Sequence, residues 1–558
     1  MTQRKWNYIA IAAILFLFAT AAVNAQSFQV QCPDSTSLHP NAANDNGMSA
    51  PFTGPQAFTF TVNPDAGSGS PFNVPLNYDN GGTIKCQQLS GGDGYATMAD
   101  GTQTYLFAFG PLSGLYDMGQ GRPGTEPHNI FNIPFNPAAS AGSPASNGAV
   151  GLSPDLDAGG GYTGHLDTRQ IMDVGIMNGN IPSPTMAIDE DDEFFLTLTN
   201  VGMVMRPDLF EQHTIHFHGY PNASTFYDGV PEPSVAINIG GSMTYYFLAP
   251  DAGTYFWHCH ITPPEHLQMG MVGQIYVRPR QNRVPTGTDL YTALGWQQND
   301  PRTKCGGELL CTTPLPRFQT GFKQGDSANG HVYTKYAYND GDGSTRYDVD
   351  YAIQIHGFDP NFHFVGMTFN PETFGDMKDK YFLLNGRSYP DTVNTTGYRD
   401  TSQDASVNAF QGAPANSPSL YTQSADGVPR PSQPLNSVIN IPVGGRALLR
   451  LSSLDVTEFQ TLASLGIPMT VIANNARLLR DLAGNNLYYN TNSITLGGGE
   501  SLDVILDAGD TSKYPVGSTF FLYTPQLNHL SNDAENFGGL MTEVHICNTV
   551  NSTTHACN

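Results

Sequence analysis

Residues 212–219, QHTIHFHG, and residues 254–277, TYFWHCHITPPEHLQMGMVGQIYV, are the part of the chain around which the rest is organised. Between positions 212 and 277 lie six of the fifteen histidines and one of the seven cysteines. A lone histidine, or even one His-x-His pair on a strand, is more often structural than a metal ligand. Two such pairs, with a cysteine inside one of them and a histidine and a methionine soon after it, indicate a metal site.

If these segments are strands, their side chains alternate between two faces. One face is then predicted to carry the four paired histidines, His216, His218, His258 and His260. His213 lies an odd number of residues from the first pair and Cys259 lies inside the second pair, so both point the other way. Two sites are therefore expected on opposite sides of one pair of strands.

The first predicted site collects His213, Cys259 and His266, with Met271 as a weak axial ligand. Two imidazoles, one thiolate and a long thioether bond are the ligand set of a blue-copper electron-transfer centre. The second site would be an all-imidazole surface, which suits copper that binds oxygen or another small ligand. Since Cys259 sits between two histidines of the second site, it would connect the two sites through very few bonds.

At these residues the sequence resembles the multicopper oxidases, part of the cupredoxin superfamily. HTIHFHG is similar to their HxxHxHG motif, and HCHI followed by His266 is similar to their HCHxxxH motif. The resemblance implies that a type 1 copper is held by His213, Cys259, His266 and Met271. It implies that type 2 and/or type 3 copper is held by catalytic residues His216, His218, His258 and His260. One departure is the segment 262–265, TPPE, which lengthens the loop between Cys259 and His266.

Residues 1–25 are predicted to be a signal peptide. Arg4 and Lys5 precede an apolar run over residues 9–22, and small residues precede the expected first mature residue, Gln26. The apolar run is too short and wrongly flanked for a strong transmembrane prediction, and no later segment is apolar for long enough to span a bilayer. An exported protein, periplasmic or extracellular, is expected.

The seven cysteines suggest six in disulfides and one, Cys259, set aside for metal. Proximity in sequence favours the pairs Cys305–Cys311 and Cys547–Cys557, leaving Cys32–Cys86. Six cysteines nevertheless allow about fifteen connectivities, so other pairings stay open.

Composition and resemblance together predict an all-β protein of two cupredoxin-like Greek-key β-sandwich domains with long loops. The chain is rich in glycine (59) and proline (40), as expected for short strands joined by turns. The first domain is placed at residues 26–280, with an N-terminal extension and the copper ligands. A linker or surface excursion over 281–345, a second domain over 346–548 and a tail over 549–558 follow.

The second domain echoes the first, which indicates internal duplication. Where the first domain has HTIHFHG, however, the second has GIPMTVIANNA, and where the first has FWHCH the second has FFLYTP. This copy therefore lacks the ligands of a blue-copper site. Only His529 falls near the equivalent of a copper loop.

The missing ligands shape the functional hypotheses. The leading one is a copper-dependent oxidoreductase that takes single electrons from a small molecule or metal ion and passes them through Cys259 to histidine-bound copper, which reduces O2. A first alternative resembles the copper nitrite reductases, which are trimers with a type 2 copper between subunits; His529 would be the ligand from the adjacent subunit. A second alternative is a non-enzymatic copper or electron-transfer protein.

The sequence also predicts which partners the chain has. A homo-oligomer, most simply a trimer, is expected because the half-built second site needs a facing surface. The net charge of −24 argues against nucleic acid or an anionic membrane as a partner.

Overall fold

The computed structural model describes residues 32–36, 38–39, 47–54, 56–62, 72–79, 81–152, 154–156, 162–166, 169–220, 224–249, 251–297, 313–368, 373–395, 421–423 and 429–558. The predicted signal peptide and the cysteines Cys305 and Cys311 lie outside these residues. Over the described ranges, no helix combines the length and the apolar character that a membrane span requires.

The secondary structure is mostly strand, as predicted. The first part of the chain contains β1 (Gln56–Val62), β2 (Phe72–Asp79), β3 (Ile84–Thr97), β4 (Gln103–Pro111), β5 (Glu126–Pro127), β6 (Pro154–Leu156), β7 (Tyr162–Leu166), β8 (Met186–Asp189), β9 (Glu193–Gly202), β10 (His216–Phe217), β11 (Ser242–Leu248), β12 (Gly253–His258) and β13 (Val272–Arg278).

The remaining strands are β14 (Ser327–Ala328), β15 (His331–Val332), β16 (Val349–Phe358), β17 (Tyr381–Leu384), β18 (Tyr421–Gln423), β19 (Pro429–Pro431), β20 (Ile439–Pro442), β21 (Arg446–Ser453), β22 (Gln460–Leu465), β23 (Met469–Asn474), β24 (Arg477–Leu478), β25 (Tyr489–Thr491), β26 (Ser493–Leu496), β27 (Ser501–Asp507), β28 (Thr519–Tyr523) and β29 (Met541–Cys547).

The helices are short and lie between strands. They are α1 (Leu115–Gly119), α2 (His128–Phe131), α3 (Pro144–Asn147), α4 (Arg169–Gly175), α5 (Pro263–Gln268), α6 (Leu290–Gln297) and α7 (Pro360–Met367). Single 3-10 turns occur at Thr225–Tyr227, Arg280–Arg283, Phe374–Asp376, Asp391–Val393 and Leu527–His529.

The first half of the chain forms a β-sandwich of two sheets. One sheet has the order β11-β9-β3-β4, with β5 beside β3, and the other has the order β10-β12-β13-β8. Apolar side chains from the two inner faces pack together, among them Leu89, Phe107, Leu196, Trp257 and Ile275. Because β3 pairs with β9, the N-terminal extension supplies part of the sandwich that surrounds the predicted copper ligands.

The second half repeats the architecture with two larger sheets. Their orders are β17-β16-β21-β27-β23-β24, with β25 beside β23, and β20-β29-β28-β22-β26. Alternate residues of β21 and β27, such as Leu449, Leu451 and Val504, point into the shared core. The fold class predicted from the sequence, an all-β protein, is therefore confirmed.

The two halves pack through the β12–β13 sheet, whose outer face is covered by the second sandwich. Thr254 Oγ1 donates to Asp503 Oδ1 at 2.6 Å, and Gln274 Nε2 donates to the Arg450 carbonyl at 2.9 Å. Phe256 joins an apolar cluster that includes Leu454. Strand β12 is consequently buried on both faces, one inside the first sandwich and one between the halves.

The described part of the connection between the halves is packed against both of them. Asn339 Nδ2 donates to Glu190 Oε2 of the first half at 2.7 Å, and Arg480 Nη2 of the second half donates to Asp342 Oδ2 at 2.6 Å. Tyr333 and Tyr336 are buried as well. The proposed domain boundaries stay a prediction, but this connection contributes to the packing.

The structure confirms two of the three predicted disulfides: Cys547–Cys557, which proximity favours, and the remaining pair Cys32–Cys86. Cys259 is a free thiol and is buried. The sulfur that the motif sets aside is thus available as a ligand.

A buried carboxyl group provides a test of this packing. Glu126, on β5, is 5% exposed, and its Oε1 has no hydrogen-bond partner among the described residues. Burial, reinforced by the charge of Asp117, raises its pKa from 4.5 to about 8. The folded state therefore retains a proton that the unfolded chain releases, so the stability contributed by Glu126 is full below pH 4.5 and is lost as the pH rises towards 8.

We expect Glu126→Gln to remove this loss of stability at higher pH. Between pH 5 and pH 8 the free energy of unfolding should fall by about 3 kcal/mol less in the variant than in the wild type. Denaturant unfolding at the two pH values measures this difference, with the exposed Glu232→Gln as the matched control. An identical pH dependence in Glu126→Gln and the wild type would contradict the assignment.

Candidate metal centre

Strand β12 and its neighbours place the two groups of predicted ligands. His216 pairs with His258, and Phe217 pairs with Trp257, in the antiparallel register of β10 and β12. Cys259 follows β12 directly, and its backbone N–H donates to the Met271 carbonyl at 3.1 Å. Since successive side chains alternate, the Cys259 thiol points into the first sandwich and the His258 imidazole points towards the second half.

The first group consists of His213, Cys259 and His266. Their ligand atoms lie within 4.8 Å of one another, and all three residues are fully buried. His266 Nδ1 is 3.2 Å from Cys259 Sγ, and the backbone N–H of Thr214 donates to the same sulfur at 3.4 Å. The structure therefore brings together three of the four side chains predicted for type 1 copper around one point.

Helix α5 accounts for the long spacing between Cys259 and His266. The sequence predicts a loop here, whereas residues 263–268 form a short helix with proline at its start, where a missing backbone N–H costs nothing. The helix brings His266 back to Cys259, and the Met271 N–H donates to the His266 carbonyl at 2.9 Å. The additional residues are thus absorbed without displacing the histidine.

The residues of the first group fit a copper ion. Both ring nitrogens of His213 are buried and have no hydrogen-bond partner among the described residues, which would be costly for a histidine with no other role. The His213 ring and the Met271 methyl both lie beside Gly91: a Cβ built there would be 2.7 Å from His213 Cδ2 and 3.5 Å from Met271 Cε. Two imidazoles, a thiol and a nearby thioether match the preferences of copper.

The two histidines of this group have opposite pKa shifts. Burial lowers the pKa of His213 well below its usual range. Burial also opposes protonation of His266, but the charges of Cys259 and Glu211 outweigh it and raise its pKa to about 9. Without metal, His266 is therefore the protonated partner of the group.

The second group consists of His216, His218 and His258, whose ligand atoms also lie within 4.8 Å of one another. His218 Nε2 is 3.1 Å from His258 Nε2. The ring of the fourth predicted histidine, His260, lies 5.0 Å from the ring of His216, but this residue is outside the converging set. Three of the four paired histidines thus form one potential site.

The histidines of the second group are held neutral. Burial lowers the pKa of His216, and it lowers the pKa of His258 well below the usual range. Burial and the neighbouring His216 lower the pKa of His218 to about 4. Neutral imidazoles are the form that binds metal, so the set is ready for a cation near neutral pH.

His529 lies outside both groups. It is buried in the second half, with Nδ1 3.0 Å from Gln460 Oε1, Nε2 3.0 Å from Glu458 Oε2, and its ring stacked on Phe382 at 3.8 Å. Within one chain both of its nitrogens are engaged. A ligand role for His529 stays a prediction that would require these contacts to open.

The sequence patterns did not predict two residues that lie at these groups. Glu211 Oε2 lies 3.4 Å from His266 Nε2, and Glu211 is 23% exposed; its position just before QHTIHFHG is the one available signal. Gly499, from the second half, contacts His218. No local pattern in the sequence indicates that contact.

Part of the chain matches a known protein family. Residues 163–282 match the family described as multicopper oxidase. This span is about a fifth of the chain and includes every predicted ligand except His529.

Two curated fungal proteins are similar to part of this chain. "Laccase abr2" of Aspergillus fumigatus is 36% identical over 109 residues, 19% of this chain and 17% of that protein. "Laccase-1" of Emericella nidulans is 35% identical over 165 residues, 29% of this chain and 24% of that protein. The chain thus aligns with less than a quarter of the length of either relative.

Two solved structures can be aligned over most of the chain. "Blue Copper Oxidase from Nitrosomonas europaea" has 16% identity and a TM-score of 0.44 over 83% of this chain and 85% of that one. "Copper nitrite reductase from Nitrosomonas europaea" has 12% identity and a TM-score of 0.41 over 84% and 96%.

Gly91 allows a test of the first group. In Gly91→Ala the added methyl would collide with the His213 ring, so the affinity for the first copper should fall about tenfold or more, with a changed thiolate-to-copper absorption. Copper titration followed by visible absorption measures both effects. Gly375→Ala, where a Cβ meets nothing within 4 Å, is the control; equal behaviour of the two variants would disprove the proposed position of the ion.

Proposed function

We propose that the chain is an exported copper-dependent oxidoreductase. Copper held at His266 and Cys259 would accept single electrons from a reduced donor, and copper held by the His216/His218/His258 group would supply the chemistry that reduces O2, with Cys259 connecting the two groups. The observation that carries this proposal is the adjacency of Cys259 and His258. They are consecutive residues, yet each belongs to a different ligand group on a different face of the same sheet.

The first group would hold copper through His213, Cys259 and His266, with Met271 as a distant fourth contact. Copper supplies one-electron redox chemistry, and the protein fixes its position and surroundings. The Thr214 N–H, which donates to Cys259 Sγ at 3.4 Å, withdraws charge from the sulfur. Hydrogen bonds of this kind adjust the potential of a thiolate-bound metal.

A donor would approach at Glu211. This carboxylate is partly exposed and lies 3.4 Å from His266 Nε2, the ring nitrogen turned away from Cys259. A donor that loses a proton together with its electron can transfer the proton to Glu211. A metal ion as donor would instead find a carboxylate ligand there, so both small-molecule and metal-ion donors are compatible with this contact.

The second group would bind the ion at which the acceptor reacts. Its imidazoles are neutral, and His216 has 17% of its side chain exposed, which leaves the site open at one edge. Because three histidines converge among the residues that the structure describes in one chain, we propose a homo-oligomer, most simply a trimer, in which a facing surface completes the site. The disulfides Cys32–Cys86 and Cys547–Cys557 support export, since such bonds persist in oxidising compartments.

Nitrite reduction is a second candidate. The convergence of three histidines, with His260 outside the set, favours a single copper ion over a larger cluster. A single ion with three imidazoles suits nitrite as well as O2. An electron carrier without turnover is the remaining alternative, and the same experiment separates all three.

The decisive variant is His258→Ala. It should lower turnover on the order of 100-fold or more, because His258 belongs to the second group. The visible absorption of copper bound at the first group should stay unchanged. Donor-dependent consumption of O2 and of nitrite is measured for the wild type, for the variant and for His545→Ala, a control on the partly exposed surface of the second half. Unchanged turnover in His258→Ala would disprove the role assigned to the second group.

The acceptor that the wild type consumes decides between the candidates. O2 uptake supports the oxidase, and nitrite loss supports the reductase. A reversible colour change without consumption of O2 or nitrite would support an electron carrier.

A further inference from the structure

Each imidazole of the second group has a backbone partner that orients it. His216 Nδ1 lies 2.6 Å from the Asp228 carbonyl, and His258 Nδ1 lies 2.6 Å from the Cys259 carbonyl. His218 makes a hydrogen bond to the backbone of Gly499. The first two partners belong to the same sandwich as the histidines, but the third comes from the second half of the chain.

Gly499 fits closely against His218. A Cβ built on Gly499 would lie 2.9 Å from His218 Nδ1 and 3.2 Å from Phe256 Cε1. Gly499 also has φ +87°, a left-handed backbone conformation that favours glycine. A side chain at this position would be strained by the backbone and would also enter the space of the imidazole.

Hydrogen bonds hold the turn at residues 497–500, GGGE, in place. The Gly499 N–H donates to the Ser453 carbonyl at 2.7 Å, and the Ser453 N–H donates to the Glu500 carbonyl at 3.0 Å. The Gly497 N–H donates to Glu500 Oε2 at 2.7 Å. The turn is thus fixed to the end of β21 and closed by its own glutamate.

Gly499 lies on the Nδ1 side of the His218 ring, so this contact favours a proton on Nδ1. When Nδ1–H donates to a carbonyl, the proton stays on Nδ1 and Nε2 keeps its lone pair for a metal. Nε2 of His218 is the atom that lies 3.1 Å from Nε2 of His258. The turn at 497–500 therefore acts on the same atoms that a metal would use.

We propose that the 497–500 turn is a positioning element for His218, through which the second half controls copper binding at the His216/His218/His258 group. The proposal rests on the function proposed above. It gives a role in the copper chemistry to a half of the chain that supplies none of the converging ligands. Loss of the contact should weaken the second copper site and leave the first unchanged.

The test is a titration of the metal-free full-length chain with Cu(II), followed by electron paramagnetic resonance and by total copper bound per chain. Gly499→Ala should lower the affinity for the second copper about tenfold or more and change its spectrum. The signal of the copper at Cys259 should remain at one per chain and reports that the protein is folded. Gly517→Ala is the matched control, because Gly517 has φ +85° but a Cβ there meets nothing within 4 Å.

A second variant covers the case in which Gly499→Ala does not fold. Glu500→Ala removes the exposed carboxylate that closes the turn and adds no atom near His218, and it should weaken the same site in the same direction. If Gly499→Ala folds and binds the second copper like Gly517→Ala, or if Gly499→Ala fails to fold and Glu500→Ala binds like the wild type, the positioning role is overturned while the proposed function stands. If the wild type itself binds no copper beyond Cys259, the proposed function fails, and this inference fails with it.

Discussion

The alternation of side chains along β12 is the constraint on which the rest of the arrangement depends. His258 and Cys259 are neighbours in sequence, so their side chains cannot lie on the same face of the sheet. One face closes the core of the first sandwich around Cys259, and the other meets the second half around His258. Two chemically different sites are therefore separated by a sheet yet joined by one peptide unit.

The second half contacts both groups although the converging side chains all come from the first. His356 Nε2 donates to the Leu267 carbonyl at 2.9 Å, and Gln268 Nε2 donates to Asp379 Oδ1 at 2.9 Å, so the helix that carries His266 is anchored from across the interface. Phe362, on α7, packs into the core of the first sandwich. The second sandwich thus holds the helix that carries His266 in place.

Much of the candidate site was predictable because it depends on local periodicity. The spacing of two residues places His216 and His218 on one side of their strand, and the register of β10 and β12 then sets His258 opposite His216. The helix at residues 263–268 was not predicted, because the segment TPPE is also compatible with a loop. Formation of this helix depends on how the segment packs and on the hydrogen bond from the Met271 N–H to the His266 carbonyl. Similarly, three histidines rather than four converge, because His260 lies beyond the end of β12.

The sequence by itself determined the all-β class, the ligand types, their division between two faces and the free cysteine, since each follows from residue identity and a period of two. Only the tertiary structure decided that the N-terminal strands complete the first sandwich, that Glu211 faces His266 and that Gly499 lies against His218. These contacts join residues that are distant in sequence or lie on different elements. Their geometry is set by how sheets pack, and no local pattern of residues encodes it.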